Sequence, residues 1–207
     1  MRIITISREF GSGGREIGMR LADILGFDYY DREIISEVAR IGNFDEKFVE
    51  NIGEKGYHAG YTVTYGRTLY YPHAVWNNSA KIQLAEAQAL KGIAEKGKDC
   101  IIVGRCADVV LEEYNPFNLF IHADMPSKIK RCKQRESADE KMTEKQLIRK
   151  IKEIDKNRAR HRLSLSDIKW GDKKAYHLCV DTSNIKPKQI TPIIAEYAKS
   201  YFESMEK

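Results

Sequence analysis

Residues 7–18, Ser7-Arg8-Glu9-Phe10-Gly11-Ser12-Gly13-Gly14-Arg15-Glu16-Ile17-Gly18, combine glycines, a serine and arginines in a spacing suited to holding an anion. Gly11, Gly13 and Gly14 let the chain turn tightly and expose successive backbone N–H groups. A helix opening at Gly14 adds its unpaired N–H donors and its dipole. Arg15 stands where the phosphate-binding lysine stands in G-x-x-x-x-G-K-[ST]. The match is partial. With Gly14-Arg15 in the Gly-Lys place, Glu9 replaces the first glycine and Glu16 takes the hydroxyl position. A planar guanidinium is not a compact ammonium, and the usual magnesium-binding hydroxyl is missing. The predicted phosphate-binding set is Gly11, Ser12, Gly13, Gly14, Arg15 and Glu16. The competing reading is a strand–helix turn that binds nothing.

Two further groups of arginines suit the same chemistry. Gly104-Arg105-Cys106-Ala107-Asp108 follows the apolar run Ile101–Val103, so Arg105 is expected just past a buried strand. It could hold an acceptor phosphate or the charge that develops during phosphoryl transfer, or it could simply cap a loop. Arg158-Ala159-Arg160-His161-Arg162 ends a basic helical stretch, with Arg131 and Arg135 upstream. Preorganised guanidinium groups stabilise charge spread over a moving phosphoryl group. Arg158 and Arg162, four apart, share a helix face, and Arg160 points elsewhere. The bland alternative is a solvated basic helix. For magnesium, Ser12, Ser7 or Asp108 through water are the available oxygens. His58, His73, His122, His161 and His177 show no ligand spacing, and the four cysteines form no C-x-x-C pair.

The elements that must position these residues read as an α/β alternation. Arg2–Ile6 is a first strand, and Gly14–Leu25 a helix with Ile17, Leu21, Ile24 and Leu25 on one face. Phe27–Tyr30 is a second strand, after which Asp31 can cap a helix over about Arg32–Arg40. Asp45–Gly53 and Trp76–Lys96 read as helices, with Tyr57–Pro72 an irregular insertion or flap between them. Cys100–Val103, Phe117–His122 and Tyr176–Asp181 are buried strands, with Cys100 and Cys179 as core. Short helices are expected at Asp108–Glu113 and Pro126–Arg135, and Glu136–Met142 is a polar turn. Thr143–His161 is amphipathic through Leu147, Ile151 and Ile154, and Leu163–Lys174 is a loop. A last helix from Pro187 is expected to bury Ile190, Ile193, Ile194, Tyr197 and Tyr201. Five strands alternating with helices imply a parallel sheet covered on both faces, with ligands at the carboxyl ends of its strands.

Composition agrees with one globular domain. The 207 residues are 42 % hydrophobic and 31 % charged. No apolar run approaches the roughly 20 residues of a membrane helix. No signal peptide is expected at the start, so the expected location is the cytoplasm. Residues 128–174 hold 17 Lys/Arg against 8 Asp/Glu, a local positive field that attracts polyanions.

The run Ile6–Gly18 resembles the opening of the cytidylate kinase-like proteins, themselves similar to bacterial cytidylate kinases among the P-loop nucleoside monophosphate kinases. The likeness runs through nearly the whole chain. Gly104-Arg105 resembles the family's Gly-Arg-Asp element, except that Cys106 follows the arginine and Asp108 comes two places later. Phe117–Ala123 and the basic helix after it resemble the strand leading to a lid, and Val180-Asp181-Thr182-Ser183 resembles the closing strand and turn.

The resemblance implies a three-layer P-loop NTPase-like fold with a five-stranded parallel sheet. It implies an acceptor-binding insertion over about 31–98 and a helical lid over about 136–174. It further implies transfer of the ATP γ-phosphoryl group, with Mg2+, to a nucleoside monophosphate such as CMP or dCMP. Arg15, Arg105, Arg158 and Arg162 are then the catalytic cations. Asp31, Arg32, Arg105 and Asp108 are the acceptor-binding residues, and Tyr29 or Tyr30 could stack on a base. Small-molecule nucleotides are the expected partners, with neither membrane nor nucleic acid among them. Two alternatives stand beside this: a kinase of another small metabolite on the same fold, and a non-catalytic nucleotide- or nucleic-acid-binding protein.

Overall fold

The computed structural model describes residues 1–55, 63–65, 68–70, 73–135 and 142–205, with the side chains of 51–79 outside the description. The first strand, β1 (Ile3–Arg8), leads through a Gly-rich turn into α1 (Gly14–Leu25). Next come β2 (Asp28–Tyr30), α2 (Glu33–Gly42), α3 (Glu46–Lys55), a hairpin of β3 (Val63–Tyr65) and β4 (Thr68–Tyr70), and α4 (His73–Ala94). Then follow β5 (Cys100–Val103), α5 (Ala107–Val110), β6 (Phe117–His122), α6 (Met125–Arg135), α7 (Glu144–Leu163), β7 (Leu178–Asp181) and α8 (Pro187–Met205). Short 3-10 turns cover Glu112–Tyr114 and Lys173–Ala175.

The five main strands form one parallel sheet in the order β2-β5-β1-β6-β7. Alternation along β1 sends Ile4 and Ile6 to one face and Ile3 to the other. On the first face α1 and α8 pack through Ile17, Leu21, Ile194, Ala195 and Phe202. On the second, α2, α4 and α5 pack through Ile34, Val38, Ile82, Leu90 and Ala107. The result is the expected three-layer α/β sandwich, with the turn after β1 at the carboxyl edge of the central strand.

Several local expectations are corrected. Ile24 is exposed on α1, and Gly18 lies buried where α1 meets β2 and β5. On α8, Ile193 and Tyr197 are exposed, and Thr191, Ala195 and Ala198 are buried with Ile194 and Phe202. The small residues there let α8 approach α1 closely. Cys179 is exposed because β7 is an edge strand. On β7, Val180 is buried in the α8 core and Leu178 packs against it. Asp31 does not cap α2, whose N-cap is Arg32 without a side-chain cap bond. Within Tyr57–Pro72, residues 63–65 and 68–70 pair as an antiparallel hairpin. The rest of that stretch, and 136–141 of the expected polar turn, lie outside the described residues.

Helix α7 begins at a defined cap. Thr143 Oγ1 accepts the Gln146 N–H at 3.3 Å, and Gln146 Oε1 accepts the Thr143 N–H at 2.9 Å, closing a capping box at the start of α7. Leu147, Ile151 and Ile154 are buried as the periodicity predicts. Thr143→Ala removes the cap acceptor. It is expected to cost about 1 kcal/mol of stability, read as a lower urea midpoint with an unchanged denaturant slope.

Candidate active site

The Gly-rich turn is built to face its donors toward the sheet edge. Gly13 is the left-handed N-cap of α1 at φ 88°. A Cβ there would come within 2.8 Å of Pro187, so glycine is required by both conformation and space. The first N–H groups of α1 have no partner within the helix. Other donors of the turn are already used: Glu9 N–H on the Ile121 carbonyl, Phe10 N–H on Asp155 and Ser12 N–H on the Glu9 carbonyl. Ser12 is fully buried and its hydroxyl donates to the same Glu9 carbonyl at 2.8 Å. The turn is braced from behind by Thr182, whose hydroxyl donates to the Ser12 carbonyl at 2.7 Å. Arg131 donates to the carbonyls of Gly11, Ser12, Thr182 and Ile185, so it ties the turn to the segment after β7.

In front of the turn several guanidinium groups gather around Arg8. Arg8 occupies the carboxyl end of β1, and Arg158, Arg15 and Arg105 all act on its charge, as does Asp31 with opposite sign. Burial first, and then Arg158, push the Arg8 guanidinium down to about 9, so it stays charged at neutral pH. Asp31, nearly buried at the end of β2, pairs with Arg15 at 2.5 Å and with Arg8 at 3.5 Å. Arg105 pairs with the buried Glu86 of α4. Arg32 is exposed at the start of α2. Tyr29 packs beneath α1 with its hydroxyl on the Arg15 carbonyl at 3.5 Å. Tyr30 packs against the core on the α4 face, with Lys96 over its ring.

The carboxyl half of α7 lies across this edge. Arg158 donates to the Arg8 carbonyl at 2.7 Å. Asp155 accepts the Phe10 N–H at 2.7 Å, and the buried Lys128 ammonium bridges Asp155 at 3.1 Å and Glu9 at 2.6 Å. Four residues on from Arg158, Arg162 pairs with Asp108 in a buried contact and also donates to the Ile168 carbonyl. Arg160 is exposed, and Arg135 reaches Glu16 at 3.1 Å. After α7, Trp170 packs edge-on against Phe120, returning the chain to the sheet.

Of the residues expected to act, Arg15, Asp31, Arg105 and Arg158 are therefore brought together, and Arg162 and Asp108 are joined to each other behind them. Arg8, Glu86, Lys128 and Asp155 were not anticipated as site residues. Arg8 carried a signal, because it ends the strand whose carboxyl edge holds the turn. Glu86 and Asp155 carried none, since Glu86 meets Arg105 19 residues away and Asp155 meets Phe10 145 residues away. Of the oxygens proposed for magnesium, the Ser12 hydroxyl is bonded within the turn, Ser7 is buried on β1, and Asp108 is buried with Oδ2 on Arg162 and Oδ1 without a hydrogen-bond partner. Among the described residues no group of three His, Cys, Asp or Glu could hold a metal. These oxygens form no assembled group of protein ligands among the described residues, and no step below runs through Mg2+.

A five-stranded parallel sheet with a Gly-rich turn after its central strand, backed by helices on both faces, is the P-loop NTPase-like fold of small-molecule kinases. The family model described as the cytidylate kinase-like family matches residues 3–184, and the chain belongs to that family. Family and fold together support a kinase of nucleotides or small metabolites. An uncharacterized protein from Eubacterium ventriosum superposes with a TM-score of 0.71 at 26% identity, covering 97% of this chain and 99% of that one. The shikimate kinase of Bacteroides thetaiotaomicron shares the fold with a TM-score of 0.56 at 11% identity, over 98% of each chain. That of Acinetobacter baumannii, solved with shikimate, does so at 0.53 and 13%, over 97% of this chain and 94% of that one. No curated protein sequence matches the chain. No helix among the described residues is long and apolar enough to cross a membrane.

Two outcomes test this geometry. Gly104 is left-handed at φ 85°, and a side chain there would overlap the Arg8 guanidinium. Gly104→Ala is expected to displace Arg8 and to cost about 1 kcal/mol or more of stability, measured as a lower urea midpoint. His161, on α7 among Glu86, Arg105 and Cys106, has its proton affinity lowered, chiefly by burial. A group whose folded pKa is depressed binds fewer protons in the native state. Its stabilising share is present above the ordinary histidine value of 6.5 and is lost as pH falls below it. Urea titrations from pH 8 to pH 5 should show this fall in wild type and a flatter profile in His161→Gln.

Proposed function

We propose that the protein is a phosphotransferase that moves the γ-phosphoryl group of ATP to a nucleoside monophosphate, with CMP or dCMP as the first choice. The observation that carries this reading is the convergence of Arg8, Arg15, Arg105 and Arg158 in front of a left-handed Gly13 at the N-terminus of α1. Phosphoryl transfer asks for little covalent participation from the protein. It asks for positioned positive charge around the equatorial oxygens of the moving group. In this reading Gly11–Glu16 hold the ATP phosphates through backbone N–H groups, with Arg15 as their cation. Arg105 and Asp31-Arg32 face the acceptor, which binds over the insertion at about 31–98. Arg158 comes from the lid, about 136–174, and meets the developing charge. An acceptor oxygen attacks the γ-phosphorus as the bond to the β–γ bridging oxygen breaks, and ADP leaves. The partners are small nucleotides, the protein works in the cytoplasm, and any Mg2+ arrives with ATP.

One observation favours a second reading, a kinase of a different small metabolite. Asp108, one of the residues expected to bind the acceptor, is buried on Arg162. A cytosine would then have to be read by other groups.

An assay with ATP and CMP, following ADP and CDP by chromatography, decides between the two. Turnover with CMP or dCMP supports the first reading. ATP consumption only with a non-nucleotide acceptor supports the second. In the active combination, Arg158→Ala is expected to lower kcat by about 10²-fold or more with little change in melting temperature.

A further inference from the structure

Arg105 sits in an unusual stretch of backbone. Gly104, Arg105 and Cys106 are all left-handed, at φ 85°, 57° and 50°. For the two residues with side chains this conformation is unfavourable. Strain of this kind persists only where the surroundings over-determine it. Three contacts do so here. The Gly104 N–H donates to the Ile6 carbonyl at 3.0 Å, which fixes the start of the stretch to β1. The Arg105 guanidinium donates to Glu86 Oε1. The Cys106 Sγ lies 3.7 Å from His161 Nδ1, and the other ring nitrogen of His161 lies 3.4 Å from Glu86 Oε2.

Glu86 is thus shared between two elements that reach it from different directions. It stands on α4 with a side chain only 3% exposed. One carboxylate oxygen meets Arg105 from the β5 turn, and the other meets His161 from the lid helix α7. Cys106 is held in the thiol form by burial, so its S–H can point at Nδ1 and leave the ring proton on Nε2, toward Glu86. An arginine beside Arg8 would otherwise be pushed away by like charge. We infer that Glu86 is a positioning residue for the phosphate site: it holds Arg105 in its left-handed pose and, through His161, ties that pose to the docked lid. The inference rests on the reading that this edge binds phosphate groups, and adds to it a buried carboxylate that touches no substrate.

The test is a double-variant cycle on the full-length protein, titrating inorganic pyrophosphate by calorimetry. Wild type and the surface control Glu113→Gln bind alike. Glu86→Gln weakens binding by about tenfold, and Arg105→Gln does so by a similar factor. Combining them costs no more than Arg105→Gln alone, because Glu86 acts only through that arginine. Glu86→Asp, which keeps the charge but withdraws it by one methylene, lies between wild type and Glu86→Gln. If Glu86→Gln does not fold, the same cycle runs with Glu86→Asp. A Glu86 variant that binds like wild type, or losses that add in the double variant, overturns the inference. Failure of wild type itself to bind pyrophosphate is a separate result that sinks the phosphate-site reading and this inference with it.

Discussion

Like charges placed at one edge of a sheet repel, and Arg8, Arg15, Arg105 and Arg158 all converge there. Their repulsion is offset by two buried carboxylates. Asp31 takes Arg8 and Arg15, and Glu86 takes Arg105. Much of the remaining architecture can be traced to this balance. Asp31 must end β2 rather than cap α2, so α2 begins without a side-chain cap. The turn after β5 must be left-handed at three residues so that Arg105 reaches α4 and Arg8 passes over Gly104. Guanidinium groups gathered at one edge need countercharge nearby, and the two carboxylates supply it.

Helix α7 belongs to the same balance. Asp155 occupies one N–H of the Gly-rich turn and shares Lys128 with Glu9, while Arg158 occupies the carbonyl of Arg8. The helix therefore holds the turn through opposite charges on one face, three residues apart. The buried pair of Arg162 and Asp108 anchors the helix one turn further on. Removing one partner of such a pair generally costs about 3–5 kcal/mol, because the other is left uncompensated. That magnitude marks the pair as part of the scaffold, and it separates Arg162 from Arg158 although both lie on the same face.

Glu9 and Glu16, which break the usual phosphate-loop pattern, both have structural explanations. Glu9 takes the place of the first glycine because its carboxylate is needed by Lys128 and by the Ala123 N–H. Glu16 sits on the outer surface of α1 and pairs with Arg20 and Arg135. Neither faces the arginine cluster. The departures in sequence are thus local solutions to holding the turn.

Much of this was legible from residue order alone. Periodicity of 2 and 3.6, with glycine at the strand–helix turn and after α1, sufficed for the five strands, most helices and the position of the phosphate turn, because these depend on near neighbours in the chain. The helical face of α8 misled at Ile193 and Tyr197, because apolar spacing does not say which side meets small residues on a partner helix. The sequence by itself determined the layered α/β fold, the Gly-rich turn and the supply of arginines. Only the tertiary structure decided which arginines meet. Arg158 and Arg162 look equivalent in the chain, yet one reaches β1 and the other a buried aspartate. Such pairing is set by distance in space, and the partners that matter here, from Arg15 with Asp31 to Arg158 with Arg8, are separated by 16 to 150 residues.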